Sequence, residues 1–236
     1  MTRNPTTATH QLRPGLALTV RAAGHGRPVL VLLHGAGGPH TIDSLLAHLA
    51  DGQQVLAPTH PGWDGTTRPE SMTSVADLAA AYLELLEAEG LSEATVVGVS
   101  FGGWVAAEMA VRDRDHRVGR LVLIDAIGPQ IPGHRPAMPN NAPPENLAAL
   151  RAYTGDTLED PTLLDRARLR TIPELLVWGA DDPVVSAEFG RLYADAIPGA
   201  RLVLIPGAGH LPMRDAPEAT FAAIDAFLAE AAPTRS

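Results

Sequence analysis

Apolar residues occur in this chain in two kinds of run. Short continuous blocks rich in valine, leucine and isoleucine read as strands buried on both faces: Val29 to Leu33, Gln54 to Ala57, Ala94 to Val97, Leu121 to Ile124, Glu174 to Trp178 and Arg201 to Ile205. Leu16 to Ala22 reads as an earlier strand. Between these blocks the apolar positions recur at helical spacing. Ile42, Leu45, Leu46 and Leu49 share one face, as do Val75, Leu78, Tyr82, Leu85 and Leu86. Further helices are expected over Gly103 to Ala110, near Ala187 to Ile197, and from Pro217 to about Ala231. Ser74 and Asp77 fit a capping box ahead of Val75, and Gly90 is placed to stop that helix. Strand–helix alternation with apolar strands predicts the α/β class, with a mostly parallel sheet covered by helices on both faces. The texture changes over 129–172, which holds prolines at 129, 132, 136, 139, 143 and 144, a pair of asparagines and short helical pieces. This stretch reads as a small lid-like insertion within a single domain spanning 1–236.

Composition narrows the function. A length of 236 residues suits one domain with a sizeable core, and a mean hydropathy of +0.03 is that of a soluble protein. A formal net charge of −9 and a pI near 5.4 speak against nucleic acid or an anionic membrane surface as a partner. No apolar stretch reaches the ~18 residues of a membrane span. Met1 to Thr6 lacks the apolar core of a signal peptide, so the cytoplasm is the expected location. The absence of cysteine excludes disulfides, thiolate metal sites and a cysteine nucleophile. All 18 basic residues are arginine, which excludes lysine Schiff-base chemistry and a lysine phosphate loop; with the abundant alanine, it points to a GC-rich bacterial genome. His34 to Gly38 does not complete a dinucleotide fingerprint, because His40 occupies the last glycine position, and no His-Glu-x-x-His spacing occurs. Neither a cofactor nor a metal is expected.

The candidate chemistry centres on Gly98-Val99-Ser100-Phe101-Gly102, which closes one apolar block and opens a helical stretch. That is the setting of a nucleophile elbow, a serine exposed on a tight turn beside backbone N–H groups and the positive end of a helix dipole. The glycines allow strand and helix to pass closely. A serine hydroxyl needs a base and an acid to orient that base. His210 lies in the glycine-rich loop after the last expected strand, and Asp182 follows the preceding one, with Pro183 stiffening its turn. Asp182 is favoured over Asp181, and Asp125, at the end of the strand after the elbow helix, is a credible substitute. The N–H of Phe101 and that of Ala36 are the expected oxyanion donors.

His34-Gly35-Ala36-Gly37, Pro61 to Gly65, Gly98 to Gly103, Gly179 to Pro183 and Gly209-His210 together resemble the α/β-hydrolase superfamily over nearly the whole chain. The resemblance implies a sheet of about seven or eight strands, with Ser100 as nucleophile, Asp182 as acid, His210 as base and 129–172 as a short cap. It also implies that His34 steadies the oxyanion loop. His34, Gly35, Trp63 and Trp104 are candidates for the substrate-binding wall, and His60 lies in the same loop as Trp63. Arg166, Arg168 and Arg170 read better as a solvated helical face than as binders of a substrate carboxylate. The expected function is hydrolysis of a small ester or lactone through an acyl-enzyme, with that substrate and water as partners. Carbon–carbon bond hydrolysis of the meta-cleavage-product type is an alternative, weakened because Val99 stands where those enzymes usually carry asparagine. Acyl transfer and perhydrolysis could use the same site. Epoxide and haloalkane hydrolysis are disfavoured, since they need aspartate in place of Ser100. From another class comes a non-catalytic ligand-binding protein on the same fold.

Overall fold

Each apolar block lies in a strand whose alternate side chains enter opposite cores. The computed structural model describes residues 5–26, 29–138 and 142–230. A hairpin of β1 (Thr6–Arg13) and β2 (Leu16–Ala23) comes first, followed by β3 (Val29–Leu33), α1 (Asp43–Leu49), β4 (Gln54–Pro58), α2 (Val75–Ala88), β5 (Ala94–Val99), α3 (Phe101–Arg112) and β6 (Val118–Ile124). The proline-rich segment contributes β7 (Gly128–Pro129), α4 (Pro144–Thr154), β8 (Glu159–Asp160) and α5 (Leu163–Ala167). The alternation resumes with β9 (Glu174–Gly179), α6 (Ala187–Ala196), β10 (Arg201–Ile205), α7 (Pro212–Asp215) and α8 (Pro217–Leu228). The last residue expected in this final helix, Ala231, lies outside the described residues.

Among the described residues, eight strands form one open sheet in the order β1-β2-β4-β3-β5-β6-β9-β10. Neighbours from β4 to β10 are parallel, while β2 joins β4, and β1 joins β2, antiparallel. Val29, Val31 and Leu33 of β3 face the core shared with α2, α3 and α6, whereas Leu30 and Leu32 face the core under α1 and α8. The same alternation runs through Leu121 to Ile124 and Leu175 to Trp178. Burial on both faces is what makes these strands continuous apolar runs. β1 escapes the sequence pattern because it is polar and largely exposed; the hairpin at Gly15, with φ of 81°, holds it to β2.

Among the described residues, the proline-rich segment builds no core of its own. Ile131, Leu150, Tyr153, Leu158 and Leu163 join the core on the α2 and α3 face, and β7 pairs with β8. The sheet order reverses at β3 and β5: from β3 the chain moves outward to β4, and from β5 the opposite way to β6. Open α/β sheets bind ligands outside the carboxyl ends of the strands at such a point. Those two ends lead into His34-Gly35 and Ser100. Among the described residues no helix is long and apolar enough to cross a membrane.

Candidate active site

Ser100 follows β5 directly and caps α3 with φ of 53° and ψ of −115°, a conformation strained for an L-residue. The surroundings hold it there. Its N–H donates to Ile124 O at 2.8 Å, and its carbonyl accepts from Gly103 at 2.9 Å and Ile127 at 3.3 Å. A Cβ on Gly98 would lie 2.3 Å from Gly102 O, and one on Gly102 would lie 2.4 Å from Leu33 O. Both contacts are with backbone, so the turn can close this tightly with glycine and not with a larger residue.

His210 reaches Ser100 from the loop after β10. Its Nε2 lies 2.9 Å from Ser100 Oγ and its Nδ1 lies 2.8 Å from Asp182 Oδ2. The carboxylate accepts the Nδ1 proton, which leaves the Nε2 lone pair to accept the serine hydroxyl. Asp182 is itself fixed, because Oδ1 accepts from the N–H groups of Val184 at 2.7 Å and Val185 at 3.1 Å. Its side chain has no exposure, whereas that of His210 is 18% exposed. The loops after β9 and β10 are joined by the Asp181 N–H to Ala208 O hydrogen bond at 2.9 Å, and Asp215 Oδ2 accepts from Gly209 N–H at 2.8 Å. Ser100, His210 and Asp182 are therefore positioned by three separate strand ends.

The loop after β3 lies against the serine, with Gly35 placed so that a Cβ there would be 3.1 Å from Ser100 Cβ. Gly35 O accepts from His34 Nδ1 at 2.7 Å and from Gly38 N–H at 3.1 Å. In a trans peptide the N–H points opposite the carbonyl, so pinning Gly35 O also aims the N–H of Ala36. Trp63 Nε1 donates to Ala36 O at 2.9 Å. His34 Nε2 accepts from His60 N–H at 3.0 Å, His60 Nε2 donates to His34 O at 2.8 Å, and Tyr82 OH donates to His60 Nδ1. These partners fix both tautomers, and both rings are neutral. Burial lowers each pKa: His34 is held well below 6.5, by desolvation first and then by His60, and His60 is pushed down to about 3 by desolvation. Phe101 supplies the first N–H of α3, a position with no acceptor within its own helix.

The other expected residues divide. His34 and Trp63 have no exposed surface. They hold the loop after β3 from behind, because His34 Nδ1 and Trp63 Nε1 donate to its carbonyls at Gly35 and Ala36, while His34 Nε2 accepts from His60 N–H in the loop after β4. Trp63 also stacks on Phe101 and Tyr153, whose hydroxyl donates to Pro61 O at 2.8 Å. Trp104 lines a cleft of about 500 Å³ with Tyr153, Glu108 and Asp160, and Ser100 is not part of that wall. Two of the three arginines depart from a solvated face. Arg166 bridges Glu108 and Asp160, and Arg170 pairs with Glu174 at 2.6 Å with both side chains buried; Arg168, paired with Asp165, stays exposed. Asp125 is fully buried behind Asp182, its Oδ1 accepting from Gly179 N–H at 2.8 Å. Asp125, Asp182 and His210 each place one polar atom within 4.8 Å of the others. Both imidazole nitrogens are already engaged by Ser100 and Asp182, an arrangement suited to proton transfer rather than to ligating a cation.

Tyr82 and Tyr153 were not legible as parts of the site. A buried tyrosine on an apolar helical face signals that its hydroxyl has a partner, without saying which.

Residues 28–158 match the family model described as alpha/beta hydrolase fold, and residues 142–224 match a second, described as alpha/beta hydrolase family. Pimeloyl-acyl-carrier-protein methyl ester esterase of Aromatoleum aromaticum is 29% identical over 81% of this chain and 94% of its own length. 2-Hydroxymuconate semialdehyde hydrolase of Pseudomonas putida is 26% identical over 93% of each chain. The crystal structure of a hydrolase from Pseudomonas aeruginosa superposes with a TM-score of 0.79 at 26% identity, covering 95% of this chain and 99% of the other.

Proposed function

Since this chain belongs to the alpha/beta hydrolase fold family, we propose that it is a serine hydrolase cleaving a small carboxylic ester or lactone through an acyl-enzyme. One observation carries the reading: the His210 imidazole lies between Ser100 Oγ at 2.9 Å and Asp182 Oδ2 at 2.8 Å, distances at which a proton can pass. Ser100 Oγ attacks the carbonyl carbon while its proton moves to His210 Nε2. Asp182 holds the ring and stabilises the imidazolium. The N–H groups of Phe101 and Ala36 receive the oxyanion, each such donor contributing about 3 kcal/mol of transition-state stabilisation. His210 then returns the proton to the departing alcohol oxygen, and water, activated by the same imidazole, releases the acid. Residues 129–172 serve as a small lid: Asn146 of α4 lies 3.3 Å from where a Cβ on Gly38 would be, so this helix sits over the oxyanion loop.

Intact mass after treatment with a fluorophosphonate tests the reading. One adduct is expected, absent in Ser100→Ala, together with a loss of ester turnover of about 10⁴-fold or more in that variant. Folded protein without an adduct would overturn it. The name of the Pseudomonas putida relative favours carbon–carbon bond hydrolysis as a second reading, while the buried, apolar Val99 offers no side-chain amide beside the serine. Turnover of a dienoic diketone acid with no turnover of short 4-nitrophenyl esters would select that reading.

A further inference from the structure

Asp125 has a place in the site that the proposed reaction does not use. It directly follows β6 with φ of 43°, its N–H donates to Val177 O at 3.0 Å, and its side chain has no exposure. Oδ1 is satisfied by Gly179 N–H, yet Oδ2 is buried and, among the described residues, has no hydrogen-bond partner when the group is written as a carboxylate. The carboxyl that faces it, Asp182, is also an acceptor. Two ionised carboxylates in one dry site repel, and a proton on one converts the pair into a hydrogen bond. No arginine among the described residues is paired with Asp125; the charged or titratable groups around it are Asp182, Asp215 and the His210 imidazole.

Resting on the triad reading above, we infer that Asp125 stands behind Asp182 as a proton-bearing carboxyl, positioning it by donating a hydrogen bond from Oδ2, and takes over its role when Asp182 is removed. The orphaned oxygen becomes a satisfied donor. Burial first, and the Asp182 charge second, raise the Asp125 pKa well above the usual carboxylate range, in keeping with this geometry. The hydrogen bond withdraws charge from Asp182 and so moderates the basicity it confers on His210. In Asp182→Ala the neighbouring charge is gone and the truncated side chain leaves room for water, so both causes that keep Asp125 neutral are weakened. Its carboxyl, already within 4.8 Å of a His210 nitrogen, can then ionise and accept the Nδ1 proton.

The test combines infrared spectroscopy with kinetics. With ¹³C-carboxyl aspartate incorporated, which excludes the buried Glu174 from the window, wild-type protein should show the isotope-shifted carbonyl stretch of a protonated carboxylic acid. That band should vanish in Asp125→Asn, whose amide keeps both hydrogen bonds and tolerates a positive φ. The acid limb of kcat/KM for 4-nitrophenyl acetate should stay in place in Asp125→Asn, since no charge is removed. Asp182→Ala should lose about 10²-fold in kcat, and adding Asp125→Asn should bring the loss to about 10⁴-fold, the scale of a triad without its acid. A missing band in wild-type protein overturns the inference, as does an acid limb that moves to lower pH, the sign of a removed negative charge beside His210. So do equal losses in the single and double variants. Fluorophosphonate labelling of wild-type protein separates the two claims: labelling without the band leaves the hydrolase reading standing and rejects the carboxyl pair. The band without labelling does the reverse for proton-bearing Asp125, and rejects the takeover along with the hydrolase reading.

Discussion

The His34 and His60 rings lie tilted against each other with centroids 3.9 Å apart, and each ring nitrogen has a partner that fixes its protonation. A proton added to His34 Nε2 would face the N–H of His60, donor against donor. The folded state therefore refuses protons that the unfolded chain accepts near pH 6.5, and His60 does so down to about 3. Within that window the unfolded state binds more protons, so stability rises with pH and is lost as pH falls. The slope is up to about 1.4 kcal/mol per pH unit for each histidine. Urea midpoints measured from pH 7 to pH 4 should fall less steeply in His60→Asn than in the wild-type protein; parallel slopes would refute the assignment. That Ser100, His210 and Asp182 could converge was legible at this scale because each sits next to a recognisable strand end. The residues that brace the neighbouring loop were not, because His60 meets His34, and Tyr82 meets His60, across distances in sequence that no local pattern encodes.

The elbow unites three elements, β3, β5 and α3, through backbone contacts too close for any Cβ. In Gly102→Ala the new methyl would lie 2.4 Å from Leu33 O, and neither backbone can yield without parting α3 from β3. Such a shift moves Phe101 N–H and the Gly35 loop relative to Ser100. The expected result is a folded protein destabilised by about 1–3 kcal/mol. Its fluorophosphonate labelling should be slowed by about 10²-fold, since misplacement of about 1 Å at a reacting centre has that effect. Wild-type labelling in a folded variant would show that the close approach serves packing alone. Element types were well read from the apolar period, and the capping box at Ser74 forms as expected, with Asp77 N–H donating to Ser74 Oγ. β1 was missed because an exposed polar strand carries no such period, and α7 because a single turn is too short to show one.

Across the whole molecule, the proline-rich segment is anchored by buried charge as well as by apolar packing. Arg170 pairs with Glu174 at the start of β9 and donates to Ala107 O of α3 at 3.1 Å, tying the end of the segment to the sheet and the elbow helix. Arg170→Met should lower stability by about 3–5 kcal/mol, because it leaves Glu174 buried without a partner; Arg170→Met/Glu174→Met should recover most of that loss. Thermal unfolding of the two variants decides it, and equal losses would show that the side chains act independently. The sequence by itself determined the α/β alternation, the strands with two buried faces, the elbow, and the chain order of serine, aspartate and histidine. These are local matters of apolar period, glycine spacing and position after a strand. Tertiary structure decided which way side chains turn: His210 toward Asp182 with Asp125 behind it, His34 and Trp63 inward against the oxyanion loop, Arg166 and Arg170 onto acids from other elements. Such choices depend on burial and on partners far away in the chain, and the sequence period does not report them.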